Sequence, residues 1–489
     1  MGPGIIVMVA DNDAGGISVY AQAGQEQGLW MVLLLVVLAP VLYVNQEMVA
    51  RLGAVTGAGH ARLIFERFGR RWGFFALSDL LVLNLLTIIT EFIGVSLGLG
   101  YFGVSRYVSV PLAALALGIV TGIGSFRRWE RAMYLLVAIS LIAIPLAVLS
   151  QVHHTASQTT IATVPTDAIG GGVVLLIVAV IGTTVSPWQL FFQQSNVVDK
   201  RITARWLWYE RTDLAIGTAL FTIGAVAVLV ACAVALGGAL GHNTFIDAGH
   251  AAVDLRDHVG AWAGAFFALV LVNGSVLGAG AVTLATSYAV GDVFGVKHSL
   301  HRRWRDAPVF HGSFAACLVV AAAVVLIPGA PLGVVTVGVQ VLAGILLPSA
   351  TVFLVLLCND RAVLGPWINP RWLNVVAVTV VGVLIELSAL LTLATLFRGL
   401  NTGVAAVGLT AVLIVALTAV LVTGVHRRKA ASFAGTPWER ATWTMPQLET
   451  LPPPPASRAR TVGLIVLRSY LGIAAAMVIV RVVQAIVGG

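Results

Sequence analysis

The sequence predicts an all-α polytopic membrane protein. Its core is an inverted repeat of five plus five helices with broken helices 1 and 6, and peripheral helices follow toward the C-terminal end. Three observations predict this. The chain is 58% hydrophobic and only 10% charged, against roughly 25% charged residues in a soluble domain. Apolar runs of about 20 residues, the length that crosses a bilayer, recur along nearly the whole chain. Two of those runs are broken in the middle by clusters that an ordinary spanning helix does not tolerate.

The apolar runs place spans near 3–24, 28–46, 73–100, 107–123, 129–150, 170–195, 212–238, 259–292, 308–328, 332–358, 372–397 and 402–425. A further apolar segment, 463–487, carries Arg468 and Arg481 and reads equally as a final span or as an interfacial helix. The polar stretch 426–462 opens with His426-Arg427-Arg428-Lys429 and contains Pro452-Pro453-Pro454-Pro455, so it reads as a cytosolic linker stiffened at its end.

The first break is Ala10-Asp11-Asn12-Asp13-Ala14-Gly15-Gly16, and the second is Thr183-Thr184-Val185-Ser186-Pro187-Trp188-Gln189. Each frees backbone carbonyls and half-helix ends at membrane depth. Paired breaks in equivalent positions of two halves point to a transporter's substrate site, here with repeats at about 1–150 and 165–360 in a LeuT-type arrangement. The core is then 1–360, with peripheral spans at 361–425, the linker at 426–462 and a terminal membrane or interfacial helix at 463–489. Two aspartates in the first break point to a cation.

The net charge of +8 does not point to nucleic acid. With a cytosolic N-terminus, eighteen arginines and lysines fall in inner loops of the first eleven spans, and only Arg106, Arg256 and Arg398 in outer ones. That asymmetry is a topology signal, consistent with an integral protein of a cell membrane, the bacterial inner membrane being the expectation. The expected partners are the lipid bilayer and a cation. Cys232, Cys317 and Cys358 sit in apolar segments as packing residues, and no cleavable signal peptide is visible. His153, His154, His242, His250, His258, His298 and His301 fall in loops without metal-cage spacing and read as solvated. No nucleophile–base set or cofactor motif appears, so neither an enzyme nor a bound cofactor is expected.

Gly2-Pro3-Gly4, Asp13-Ala14-Gly15-Gly16 and Gln22-Ala23-Gly24 resemble the first helix of the NRAMP divalent-metal transporters, whose motif is Asp-Pro-Gly-Asn. The run from Gln46-Glu47-Met48 through Arg51-Leu52-Gly53 to Thr56-Gly57 resembles the signature that follows the family's second helix. Glu91-Phe92-Ile93-Gly94 is similar to its helix 3 motif. Ser186-Pro187-Trp188-Gln189 falls where the family has Met-Pro-His-Asn, and Gln340, eight residues before Pro348, resembles the helix 10 pattern. The resemblance runs in order from residue 2 to about residue 360.

That resemblance implies an ion held by Asp13, by the carbonyls of Ala10 and Thr183, and by the positions now occupied by Gly16 and Ser186. The family's Asn and Met are absent at those two positions. A thioether favours soft transition metals, so its loss removes a filter against harder ions. Smaller residues also suggest a wider pocket, suited to magnesium, which gives up its waters reluctantly. The family's helix 6 histidines correspond to Trp188 and Gln193, its helix 3 aspartate to Ile88, and a further acidic position to Leu81. Proton relays need titratable chains, and of that set only Asp13 and Glu91 remain. The pattern is most similar to the NRAMP-related magnesium transporter branch.

Individual residues carry alternatives. Asp11 either adds negative field to the site or caps the following half-helix. Ser186 either ligates the ion or caps. Glu91 is either an acidic residue near the vestibule or a partner of a buried helix end. Trp188 reads as a cavity wall or gate. Gln189 and Gln193, four apart on one face, line a water path or bond between helices, and Gln340 is a transient ligand or interhelical glue. Glu386, outside the core, reads as structural or as facing a lateral polar pocket. The function expected is uptake of a divalent cation, magnesium with manganese, driven by the electrochemical gradient and not coupled to protons, with the ion partly hydrated. The alternatives are a proton-coupled manganese or iron importer, and an organic amine or amino acid carrier of the same fold.

Overall fold

The structure, a computed structural model, describes residues 2–152, 171–237, 245–329, 332–396, 401–425, 436–452, 460–470 and 472. Among the described residues there is no strand, and nine helices are long and apolar enough to cross a membrane. His153, His154, His242, most of the 463–487 segment and three of the four consecutive prolines lie outside them.

The first repeat opens with the half-helices α1 (Gly4–Val9) and α2 (Ala14–Gln27). It continues through α3 (Met31–Thr56), the short α4 (His60–Phe68), α5 (Arg70–Tyr101) and α6 (Arg106–Gly122), and ends in α7 (Phe126–Ser140) and α8 (Ala143–Val152). The second repeat opens with α9 (Gly171–Thr184) and α10 (Pro187–Asp199). There follow α11 (Leu207–Leu236), an outer helix α12 (Ala248–His258), α13 (Ala261–Phe294), α14 (Pro308–Val325) and α15 (Leu332–Cys358). Beyond it lie α16 (Arg361–Leu364), α17 (Arg371–Leu396), α18 (Thr402–Val425) and α19 (Pro437–Thr442).

The packing carries the two-fold relation that sequence identity hides. The half-helix α2 packs on α11, and α10 packs on α3, so each broken helix lies against the second helix of the opposite repeat. The third helices of the repeats, α5 and α13, pack along one another. Small residues let them close: a Cβ added to Gly94 would fall 2.2 Å from Ser275 Oγ, and one on Gly98 2.6 Å from Val272.

Three departures from the expected spans have local causes. The second helix runs on to Thr56, because Asn45, Gln46, Glu47 and Arg51 are buried there, and it stops only at Gly57 with φ +62°. The fifth span is two helices, since Pro145 cannot supply the N–H that the carbonyl of Leu141 would accept. The two short helices α4 and α12 were not anticipated; α4 is amphipathic, with Leu63, Ile64 and Arg67 on its buried side.

The described part of the linker is not a free tether. Met445 donates its N–H to Val55 O at 3.1 Å, Trp367 Nε1 to Arg440 O at 2.9 Å, and Arg67 Nη1 to Pro452 O at 2.8 Å. Glu386 on α17 accepts a hydrogen bond from Thr410 on α18.

Candidate metal site

The first break is made by a sequence that spends its donors elsewhere. In a continuous helix the N–H of Ala14 would go to the carbonyl of Ala10. Here it goes to Glu91 Oε2 at 3.0 Å, so the Ala10 carbonyl loses its helical donor. Asp13 takes an extended conformation (φ −82°, ψ −177°) and caps α2 by accepting from Gly16 N at 2.7 Å. Asn12 anchors the turn to α11 through Nδ2 and Phe221 O at 3.0 Å.

The second break uses proline for the same end. Pro187 stands at the first position of α10, where a missing N–H is tolerated. The carbonyl of Thr183, four residues earlier, therefore has no helical donor; Ser186 Oγ approaches it at 3.3 Å and donates to Gly182 O at 2.8 Å. Both carbonyls singled out from the sequence are thus released, one by a carboxylate and one by a proline.

The two breaks meet. A Cβ on Gly16 would lie 2.9 Å from the Asp11 carbonyl and 3.0 Å from Thr183 Oγ1. Gln340 touches both: its side-chain Nε2 presses on Gly15, where a Cβ would fall 1.7 Å away, and its carbonyl on Gly182, 2.2 Å from a built Cβ. Asp11 faces Gln189 and Ser186. Asp13 and Glu91 both lie against Gly278, within 2.9 Å of where its Cβ would be. Asp11, Asp13, Glu91, Thr183, Ser186, Gln189 and Gln340 are all at most 3% exposed, so the structure is closed over the site on both sides.

Burial without partners marks this cluster. Among the described residues both Asp11 oxygens, Glu91 Oε1, Thr183 Oγ1, Trp188 Nε1, Gln189 Nε2 and Gln340 Nε2 are buried and have no hydrogen-bond partner. Buried polar groups are ordinarily satisfied, and each exception calls for a physical reason. Among the described residues no lysine, arginine or histidine pairs with Asp11, Asp13 or Glu91. The site gathers three carboxyl groups and frees oxygen atoms, which is a cation's chemistry.

Hydrogen bonds tie several of the singled-out residues down. Asp13, not Asp11, caps the half-helix. Glu91 is the partner of a buried helix end. Ser186 makes no side-chain cap; its hydroxyl donates back to Gly182 O on α9, which leaves its oxygen lone pairs to serve as a ligand. Gln189 Oε1 accepts from Gln46 Nε2 at 2.9 Å, and Gln193 Nε2 donates to Glu210 Oε1 at 2.8 Å, so both glutamines bond between helices. Trp188 is a buried wall, edge-on to Phe192. Gln340 has its amide nitrogen against α2, and ligation of a cation would need the amide turned to present Oε1.

Two expectations need correction. The room left by Gly16 is not open here: the Asp11 carbonyl, Thr183 Oγ1 and the Tyr20 ring close on it within 3.3 Å, so a wider pocket requires the breaks to part. His298 is not simply solvated, since its Nε2 pairs with Asp292 Oδ1 at 3.1 Å.

The sequence reading missed Asp213 and Glu210. Asp213 on α11 accepts from Gly2 N at 2.7 Å and Ile5 N at 3.0 Å, capping α1, and a Cβ on Gly4 would crowd it at 2.9 Å. The signal was there: a carboxylate inside an apolar span, opposite a Gly-Pro-Gly start. The Gln46–Gly57 signature also gains a reason. Gln46 reaches the second break, while Glu47 binds Arg51 at 3.3 Å and Arg211 at 2.7 Å.

Two membrane-embedded broken helices that enclose buried carboxylates, with no basic partner among the described residues, define a membrane transporter core. The chain belongs to the Nramp family, since the model for natural resistance-associated macrophage protein-like sequences matches residues 4–394. Among relatives, it is 26% identical over 400 residues to the divalent metal cation transporter MntH 1 of Pseudomonas aeruginosa, covering 78% of this chain and 89% of that protein. It is 33% identical over 222 residues to MntH of Verminephrobacter eiseniae, a match that spans 47% of that protein and 42% of this one. A crystal structure of the Eremococcus coleocola manganese transporter superposes with a TM-score of 0.63 at 20% identity, over 86% of this chain and 93% of that one. A nucleobase-cation-symport-1 family transporter in a closed conformation superposes at 0.51 with 14% identity, over 86% and 93%. These two likenesses speak to the fold.

Proposed function

We propose that this chain carries a divalent cation, magnesium with manganese as a co-substrate, into the cell without proton coupling, the ion sitting partly hydrated between the two breaks. What supports a divalent cation is one observation above all: three buried carboxylates, Asp11, Asp13 and Glu91, share the meeting point of the breaks with no cationic side chain among the described residues paired to them. The relatives named as divalent metal transporters agree with it.

The hydrated ion follows from the mixture of unpaired atoms. Asp11 and the Ala10 carbonyl, which has lost its helical donor, are acceptors, whereas Gln189 Nε2 and Gln340 Nε2 are donors. A bare cation satisfies only the first kind. A cation that keeps some water satisfies both, because its waters donate to the carboxylate and accept from the amides. Serine at position 186 and glycine at 16 add no sulfur that would prefer a softer ion.

The absence of coupling rests on side chains that do not titrate. Trp188, Gln193, Ile88 and Leu81 occupy the positions where the resemblance implies titratable groups. A membrane potential negative inside contributes about 4.6 kcal/mol per 100 mV to a doubly charged ion, twice the single-charge value, so uptake needs no second driving ion. The test is uptake of magnesium into proteoliposomes, with competition by manganese and by amino acids. Inhibition by manganese alone is expected; inhibition by amino acids alone would assign the site to organic amines.

A further inference from the structure

We propose that the start of α7 and the loop between α13 and α14 together bind the phosphate headgroup of an anionic phospholipid, in the leaflet at that end of the helices. The proposal does not depend on which ion the chain carries.

Two segments far apart in sequence make the site. The start of α7 brings Arg127, Arg128 and Arg131, and the loop before α14 brings Arg302, Arg303 and Arg305; all six are exposed. The segments lie against each other. A Cβ on Gly124 would fall 2.7 Å from Arg303 Cγ, and the His301 ring stacks on Phe126 with centroids 5.2 Å apart. Among the described residues none of the six guanidinium groups meets a carboxylate. Other cations are committed: Arg51 to Glu47, Arg67 to Asp360 and Lys200 to Glu130. With Glu130 so taken, exposed Asp306 is the one carboxylate left in the two segments. Topology asks only that arginines stay on one side of the membrane, not that two loops pack so as to gather them. Gathered like charges repel, and an anion between them offsets that cost.

Both segments are held by the end of α10. Asp199, its last residue, accepts from Ser299 Oγ at 2.5 Å, Leu300 N at 2.9 Å and Tyr288 Oη at 2.6 Å. The next residue, Lys200, pairs with Glu130 on α7. The arginines therefore stand on a fixed base rather than on a free loop, and that base is the second broken helix.

An apolar rim selects a lipid over a free anion. Trp304 is 48% exposed and stacks on His311 at 5.6 Å, while Phe294 at the end of α13 and Val309 at the start of α14 are 61% and 46% exposed. Guanidinium groups supply paired donors to phosphate, tryptophan favours the interface, and the apolar side chains meet the first methylenes. A free phosphate would use the guanidinium groups alone.

The experiment follows the unfolding temperature of the full chain in neutral detergent as phosphatidylglycerol, phosphatidylcholine or inorganic pyrophosphate is added. Phosphatidylglycerol is expected to raise it, and the other two are not. In Arg127→Gln/Arg303→Gln the phosphatidylglycerol needed for half the rise should increase about five-fold for each arginine lost. Should that pair fail to fold, Arg302→Gln/Arg305→Gln is judged by the same reading. Arg70→Gln/Arg71→Gln, at exposed arginines that start α5, should leave the half-rise unchanged. Equal weakening in this last pair would reveal a general attraction to charge and overturn the site. An equal rise with phosphatidylcholine, or no rise with phosphatidylglycerol, overturns it as well. A rise with pyrophosphate that matches the lipid's would assign the arginines to a free anion instead.

Discussion

Glu91 on α5 accepts the N–H of Ala14 on α2 at 3.0 Å, and this one bond keeps the first membrane helix from closing. It diverts the donor that would otherwise return to Ala10. A third-helix carboxylate is thereby part of the first helix's geometry.

Glu91→Ala should therefore leave a buried N–H unpaired, which costs on the order of 1–3 kcal/mol. Glu91→Gln retains an acceptor and should be far milder. Thermal unfolding of both variants in detergent, with flux measured alongside, checks this. Equal destabilisation by the two would show that the charge and not the acceptor matters.

Gln340 and Gly15 should behave as a coupled pair. A methyl at position 15 meets Gln340 Nε2 at 1.7 Å and its Cδ at 2.5 Å, so the glutamine must swing away. Gly15→Ala should cost roughly 1–3 kcal/mol as overpacking, and much of that should return in Gly15→Ala/Gln340→Ala. A double-mutant cycle on unfolding free energies measures it. Strict additivity would deny the contact.

Selectivity should follow the missing sulfur. Gly16→Asn with Ser186→Met is expected to move preference from magnesium toward manganese and cadmium, through the added thioether and the lost room. Asparagine at 16 must push on the Asp11 carbonyl and Thr183 Oγ1, so some loss of total flux accompanies the shift. The readout is the ratio of magnesium to manganese uptake, and an unchanged ratio places selectivity elsewhere.

In the loop after α13, His298 should make stability depend on pH. Burial lowers its basicity, but the hydrogen bond to Asp292 and that carboxylate's charge outweigh burial, with help from the Val296 carbonyl and Asp199, and raise it above the ordinary histidine value. A group raised in the folded state contributes fully below its unfolded pKa of about 6.5 and loses that contribution as pH rises through the folded value. Wild type should thus lose stability from neutral toward alkaline pH, and His298→Ala should lack that component. Unfolding temperature followed from pH 6 to pH 9 in both proteins decides it, and parallel curves would remove His298 from the account.

What the sequence made legible was what breaks a local rule. Asp13 and Pro187 stand out because an apolar span contains them, and the inward and outward arginine counts follow from loops alone. Pairings across the chain did not show. Nothing in the sequence joins Glu91 to Ala14, Gln46 to Gln189 or Asp213 to Ile5, since each bond depends on how the two repeats interlock. The roles of the two aspartates were hidden for the same reason: capping is a matter of φ, ψ and which N–H lies within reach. Glycine at 16 suggested space, but packing from the second break fills it in the closed state.

The most direct test of the central claim loads liposomes with a magnesium-sensitive dye and a pH dye together, and imposes a membrane potential negative inside. Magnesium entry is expected to grow with the potential while internal pH stays constant, and to fail in Asp13→Ala. Proton entry in fixed proportion to magnesium, appearing only when the ion is present and lost with either aspartate, would contradict it and make the protein a coupled transporter.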